Sequence, residues 1–335
     1  MASTNPSDPS LPRIHRAEYA RRMNRVLDYI DQHLDTALDL AQLADVANFS
    51  RFHFHRVFAA WMGETLGDYA RRRRLESAAF HLSCKPEASV LEIALATGFG
   101  SGEAFARAFK LRFGCTPSAW RAGAAQHRAG QMAAARERHA NRHGNPDSNP
   151  DQVLRNASQA DGRAFTDHGG SQQAHGERNM EVRIIDLPEV RVAYQRHIGP
   201  YGPAIGTFWR EAVAPWMHAN GLSEQTCYGI GHDAPGITPP DKCRYDACVA
   251  VPEAFQPGGQ ASIAVLPGGR YAVAPFSGAP ATIGEAWMWL TRAWLPSSGM
   301  QCDERPCFER FSAVSALDQR TGVLTCELCI PVRAL

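Results

Sequence analysis

No run of about 18 apolar residues occurs anywhere in the 335-residue chain, so no segment has the length to cross a bilayer as a helix. Met1 to Pro12 also lacks a positively charged stretch leading into an apolar one, the mark of an export signal. A soluble, cytoplasmic protein with no membrane partner is expected. Cysteine spacing of the zinc-site or disulfide-framework kind is missing as well. The nine cysteines are odd in number and scattered, which fits reduced, buried thiols. Cys326 and Cys329 come nearest to a ligand pair. An odd separation along a strand sends them to opposite faces, however, and no second Cys or His pair complements them. Neither a metal nor a cofactor is expected.

A strong charge of one sign is the next absence, since the formal net charge is only +1. Residues 1–122 carry 16 Lys and Arg against 13 Asp and Glu, whereas residues 179–335 carry 12 against 15. This small asymmetry suggests different partners for the two ends. The length suits two domains of ordinary size rather than one core. Between them, from Gly123 to Arg178, the composition shifts to Gln, Ala, Arg, Asn, Gly, Ser and His with no sustained apolar period. A flexible linker is expected over 123–178 because so few large apolar side chains cannot offset the entropy of ordering.

What is present in the first part is helical periodicity and repetition. Tyr19, Met23, Val26, Ile30 and Leu34 form one apolar stripe. Asp39 with Gln42 and Ser89 with Glu92 have the spacing of capping boxes, and Thr116-Pro117 gives an N-cap followed by proline at the first helical position. Ser50, Phe54, Arg56, Phe58, Gly63, Thr65 and Tyr69 recur 51 residues later as Ser101, Phe105, Arg107, Phe109, Gly114, Thr116 and Trp120. Upstream, Leu43-Ala44 and Phe49 recur at 50 residues as Ile93-Ala94 and Phe99, so the second copy has one more residue in its turn. Each copy is expected to be a helix, a tight turn and a second helix.

In such a unit the first helix braces the second, whose N-terminal residues enter a major groove. Arg51, Phe52, His55 and Arg56 occupy that stretch in the first copy, and Gly102, Glu103, Ala106 and Arg107 in the second. An arginine fork pairs with guanine O6 and N7, while Phe52 either meets a thymine methyl or packs inside. Two units in one chain can address grooves roughly 34 Å apart without dimerisation. Leu40 to Ser50, Phe58, Gly63, Tyr69, Ile93 to Phe99, Phe105 to Lys110, and Phe113-Gly-Cys-Thr-Pro-Ser-Ala-Trp120 together closely resemble the AraC/XylS family of DNA-binding domains. The resemblance covers residues 17–122 and implies base-reading helices at 51–61 and 102–112. Gly102 and Glu103 depart from it where longer donors are common, which leaves Arg107 as the main base reader of the second unit. Arg71 to Arg74 lies on the helix joining the units, either as a solvated basic face or in contact with phosphate.

The second part repeats too, at 78 to 79 residues. Gly199, Ile205, Gly206, Trp209, Trp216 and Gly221 reappear as Gly278, Ile283, Gly284, Trp287, Trp294 and Gly299. Strands are expected near 190–197, 227–231, 245–251, 271–277, 307–314 and 324–332, with helices at 201–220 and 280–295. The tryptophans fall seven residues apart in each helix, as a core stripe does. Two repeated strand-helix-strand units with pseudo-twofold symmetry, in an α+β domain with a cleft at the seam, are expected. Glu309 stands out as a carboxylate in the otherwise apolar Cys307-Phe-Glu-Arg-Phe311, suited either to an aromatic-lined cleft that takes a cation or to solvent.

His197-Ile-Gly-Pro-Tyr201, Asp233 to Pro240, Arg244 to Cys248, Gly268 to Ala272, Trp294 to Gly299 and Phe308 to Phe311 resemble the GyrI-like effector-binding domain. The resemblance covers residues 180–333, within a domain expected over 179–335. It implies that Glu309 faces a ligand cavity which Tyr201 lines, and Phe276 and Trp287 are further expected effector contacts. Ala279-Pro280 departs from the tyrosine many relatives carry there. The whole is expected to be a two-domain transcription regulator: an all-α double helix-turn-helix domain and a sensor for a small cationic or aromatic molecule, with promoter DNA and RNA polymerase as partners and no enzymatic activity. The alternatives are a GyrI-like hydrolase with Glu309 as general base, and a protein-binding module.

Overall fold

A helix of 22 residues, α1 (Leu11–Gln32), begins the described chain; the computed structural model describes residues 11–85, 87–124, 180–311, 317, 318 and 320–334. Met23, Val26, Leu27 and Ile30 on its apolar face are fully buried. They meet Leu43 of α2 (Leu40–Val46), Phe54 and Phe58 of α3 (Arg51–Met62), and Tyr69 of α4 (Leu66–Cys84) in one core. The second unit repeats this with α5 (Val90–Ala96), α6 (Gly102–Phe113) and the short α7 (Pro117–Ala119), packing Phe105, Phe109 and Phe113 against Trp120.

Side-chain caps set the helix starts. Asp39 accepts from Ala41 N at 2.9 Å, and the Ser89/Glu92 capping box closes with both bonds, at 3.1 and 2.6 Å. Ser50 and Ser101 cap α3 and α6 alike, accepting from His53 N and Ala104 N at 3.4 and 3.2 Å. Both helices stop at a left-handed glycine, Gly63 (φ 67°) and Gly114 (φ 72°). The two turns match as well, with Asn48 (φ 52°) and Gly98 (φ 81°) in the left-handed region and Gly100 as the second copy's extra residue. Of the expected linker, Gly123 and Ala124 are described, at the end of a short π-helical turn, and 125–178 lies outside the described residues.

The second part is a curled antiparallel sheet built from β1 (Arg183–Leu187), β2 (Val190–Ile198), β3 (Cys227–Gly231), β4 (Arg244–Ala250), β5 (Ser262–Leu266), β6 (Gly269–Gly278), β7 (Met300–Cys302), β8 (Phe308–Phe311) and β9 (Leu324–Ala334). Strand order is β1-β6-β9-β8-β3-β4-β2-β5, and β7 pairs with β9. One face is covered by helices, α8 (Pro203–Phe208) with α9 (Ala214–Ala219), and α10 (Ile283–Trp289) with α11 (Leu295–Ser297). Each pair is joined by a π-helical stretch, Trp209–Val213 or Leu290–Trp294, where the sequence suggested one unbroken helix. Pro215 and Pro296 stand just beyond these stretches and have no N–H to continue the regular ladder, so the turn widens. Cys326 packs on the helix-covered face and Cys329 in the core of the other, as their odd spacing requires.

The helical part and the sheet form one compact unit. Ile198 at the end of β2 packs into the core of α1–α4.

Candidate functional site: two exposed helices, a buried ionic seam and a carboxylate among aromatics

On α3, alternate burial separates core from solvent. Phe54 and Phe58 are buried, while Arg51, His55 and Arg56 are exposed together with His53, which sequence reasoning passed over. The Phe52 side chain lies outside those described. On α6, Glu103 and Arg107 are exposed, Gly102 and Ala106 half-buried, and Lys110 adds a second exposed cation. Arg56 and Arg107, equivalent in the repeat, therefore both stand free of the core on identically capped helices.

Three of the four arginines 71–74 depart from both expectations. Only Arg71 is exposed. Arg72 is buried against Glu64 (2.7 Å) and Glu76 (3.1 Å), and Arg73 against Asp31 (3.1 Å), Glu76 (3.2 Å) and Asp233 of the sheet domain. Arg74 donates to the backbone carbonyls of Leu34 and Thr36 at 2.8 and 2.5 Å. A buried guanidinium needs charged partners, and the fold supplies them in place of water or phosphate.

Asp233 belongs to a cluster that joins the two parts of the chain. Its Oδ2 accepts from Arg244 N and Nε at 2.7 and 2.9 Å. Arg244 Nη1 reaches Asp31 Oδ2 at 2.6 Å and the Tyr69 hydroxyl at 3.0 Å. One turn before Asp31 on α1, Asp28 accepts from Tyr194 Oη at 2.6 Å and Arg196 Nη2 at 2.8 Å, and Arg196 is also paired with Asp246 at 2.7 Å. Lys242 donates to Met62 O at the end of α3 at 2.5 Å. Burial by itself would raise Asp31, Asp233 and Asp246, but the arginines beside them outweigh it and hold all three below the usual carboxylate range. Burial also pushes the Tyr69 phenol up to about 12, so it stays protonated. Sequence reasoning missed this seam. Its signal was there: Arg196, Arg244 and Asp246 are charges in apolar strands, and such charges are kept only where partners meet them.

On the helix-covered face, Glu309 is partly buried and held from two sides. Trp287 Nε1 donates to its Oε1 at 3.2 Å and Tyr245 Oη to its Oε2 at 3.3 Å, while Trp209 Nε1 donates to Tyr245 Oη at 3.2 Å. Burial raises the Glu309 carboxyl to about 7, with the Trp287 and Tyr245 bonds pulling the other way. Gly229 lies opposite Glu309 in the β3–β8 register, and a β-carbon there would collide with the Tyr245 hydroxyl and sit 2.8 Å from Glu309 Oε2. Glycine therefore makes room for the pair. Phe276 is buried in the same cluster as Trp287. Tyr201 stands edge-on to Tyr245 with ring centroids 6.2 Å apart, but its hydroxyl donates to Arg244 O at 2.5 Å and so belongs to the seam rather than to Glu309. Tyr245 and Trp209 were not among the expected contacts. Trp209 had been assigned to the core stripe, and nothing local marks Tyr245 as facing Glu309. Among the described residues there is no cluster of three or more His, Cys, Asp or Glu side chains able to hold a metal, and no helix is long and apolar enough to cross a membrane.

These two parts match two known families. Residues 43–123 match a helix-turn-helix domain, and residues 180–333 match the GyrI-like small molecule binding domain. The SPbeta prophage-derived protein YosT of Bacillus subtilis is 30% identical over 46% of this chain and the whole of its own length. The regulatory protein SoxS of Escherichia coli K12 is 35% identical over 29% of this chain and 89% of its own. An AraC-type transcriptional regulator from Chromobacterium violaceum, of known structure, is 27% identical over 31% of this chain and 93% of its own, with a TM-score of 0.30. The chain belongs to the AraC-type family of DNA-binding transcriptional regulators and carries a GyrI-like small-molecule-binding domain.

Proposed function

We propose that the protein is a cytoplasmic, non-enzymatic regulator that reads an operator with α3 and α6 and responds to a small cationic or aromatic effector held at Glu309. One observation carries the DNA half: Arg56 and Arg107 stand exposed at equivalent positions on two helices with the same cap and the same stop. Arg51, Phe52, His55 and Arg56 read the first half-site, and Gly102, Glu103, Ala106 and Arg107 the second. Glu103 adds an acceptor suited to cytosine N4. The DNA-binding domain spans 17–122, the linker 123–178 and the sensor 179–335. The sensor is a duplication of a strand-helix-strand unit about a pseudo-twofold axis, which the central β8–β3 pair and the two π-interrupted helices support. RNA polymerase is the downstream partner.

Glu309, Trp287, Tyr245 and Trp209, with Phe276 behind them, offer one carboxylate among indoles and a phenol, which favours an organic cation by charge pairing and cation–π contact. A carboxyl raised to about 7 also suits a general base, and that observation supports the hydrolase alternative. Turnover of a strained electrophile by the wild type and its loss in Glu309→Gln would establish that alternative.

The test is selection of sites from a random duplex pool by the full chain, followed by affinity measurements at fixed salt. A selected sequence, with Arg56→Ala and Arg107→Ala each costing about 1–3 kcal/mol of discrimination in its own half, is the expected result. Salt-labile binding without sequence preference would overturn it. Titration with an aromatic quaternary ammonium ion, followed by tryptophan fluorescence, is expected to saturate in the wild type and not in Glu309→Gln.

A further inference from the structure

The seam between sensor and DNA-binding domain is lopsided. Its contacts land on Asp28 and Asp31 of α1, on Met62 O at the end of α3, on Tyr69 and Arg73 of α4, and on Lys85 just beyond α4, where Glu304 lies at 3.8 Å. Among the described residues none of these direct contacts falls on α5 or α6; α6 is reached at second hand, where Arg112 lies 3.8 Å from Glu76, the partner of Arg73. The repeat makes the asymmetry chemical, because Tyr69 and Trp120 are equivalent positions. The Tyr69 hydroxyl leaves its own unit to meet Arg244, whereas the Trp120 indole donates to Ala79 O and Ser83 Oγ inside the helical domain.

We infer that the sensor domain positions only the first reading unit, with Arg244 as the positioning residue. The route is short. One guanidinium ties α1 through Asp31 to α4 through Tyr69, and the Tyr69 ring stands edge-on to Phe58 of α3 at 5.5 Å. Lys242, two residues before Arg244, holds the C-terminal carbonyl of the same α3, where a cation is favoured by the unpaired carbonyls and the helix dipole. Arg244 thus fixes the two helices that flank α3, and Lys242 fixes its end. The other side of the same strand faces the Glu309 cluster: Tyr245 follows Arg244 in β4 and binds Glu309, and Tyr201 holds the Arg244 carbonyl. Occupancy at Glu309 therefore acts first on the half-site read by α3, which the seam holds directly, and reaches the half-site read by α6 through no direct contact among the described residues. This rests on the proposal that α3 and α6 read DNA, and goes beyond it by assigning the regulation to one of them.

The experiment uses the full chain and three duplexes: the selected site, the same site scrambled in the half that Arg56 reads, and the site scrambled in the half that Arg107 reads. Arg244→Met is expected to weaken binding roughly tenfold on the intact site and on the duplex scrambled in the Arg107 half. On the duplex scrambled in the Arg56 half the loss is expected to stay below about twofold. Tyr69→Phe removes one hydroxyl and keeps the ring, so it gives a smaller loss with the same half-site pattern and an unchanged melting temperature. It carries the test if Arg244→Met does not fold. Equal losses on all three duplexes, or no loss on any, overturn the inference while leaving the DNA-reading proposal in place. Failure of the wild type to select a sequence removes both.

Discussion

The guanidinium of Arg244 donates to the hydroxyl of Tyr69 at 3.0 Å, joining residues 175 positions apart across the boundary between the two domains. Both are buried, and Asp31 and Asp233 complete the arginine's surroundings. The link is a direct contact between the sheet and the helical part.

Adjacent arginines on α4 are expected to behave oppositely. Arg73→Met leaves Asp31 and Asp233 with Arg244 alone and Glu76 without one of its buried guanidiniums, and a loss of about 3 kcal/mol is expected in urea denaturation. Arg71→Ala, at an exposed position, is expected to change stability by less than about 0.5 kcal/mol. Its effect appears in the salt dependence of DNA binding, where loss of one phosphate contact lowers the slope by about one.

Glu309 predicts a pH-dependent difference between wild type and Glu309→Gln. In the unfolded chain this carboxyl ionises near its ordinary 4.5, whereas in the fold it keeps its proton up to about 7. Stability from the neutral acid is therefore full below 4.5 and lost as pH rises through about 7. The glutamine variant carries no such loss, so it should gain about 2–3 kcal/mol on wild type across that window, read by denaturation at each pH. A constant difference would show that Glu309 does not titrate in the buried setting described.

The seam carboxylates have the opposite sign. Asp31, Asp233 and Asp246 are held below the usual carboxylate range by Arg73, Arg196 and Arg244. The stability they contribute is present above about pH 4 and lost as pH falls through their folded values. Stability measured downward from neutral pH is expected to fall steeply only in strong acid, and Asp31→Asn is expected to flatten that fall.

Gly229→Ala tests the pocket through space rather than charge. The added methyl has nowhere to go between Tyr245 and Glu309, both fixed by tryptophan indoles. Overpacking of this kind costs about 1–3 kcal/mol, and the shift of Trp209 and Trp287 should be visible in the emission spectrum. Loss of effector binding without loss of DNA affinity is the expected phenotype.

Much of the architecture was legible in the chain itself. The 51-residue repeat located α3 and α6, and it contains the serines and glycines that the structure shows to cap and stop them, because these depend on local spacing and on backbone conformations that few residues adopt. Glu309 was legible for a similar reason, as a charge in an apolar strand. The short strands β1, β5 and β7 and the π-helical breaks were not anticipated. Their pairing partners lie far along the sequence, and the breaks answer to single prolines.

The partners of the buried charges were decided only by tertiary structure. Arg71 to Arg74 form an unbroken run in sequence, yet one meets solvent, two meet carboxylates and one meets backbone carbonyls, because successive helix residues point about 100° apart toward different neighbours. Likewise, Tyr69 follows the same local pattern as Trp120, and the fold alone brings Arg244 to its hydroxyl. Local pattern fixes which helices turn arginines to solvent; long-range packing fixes which of them meets the sheet.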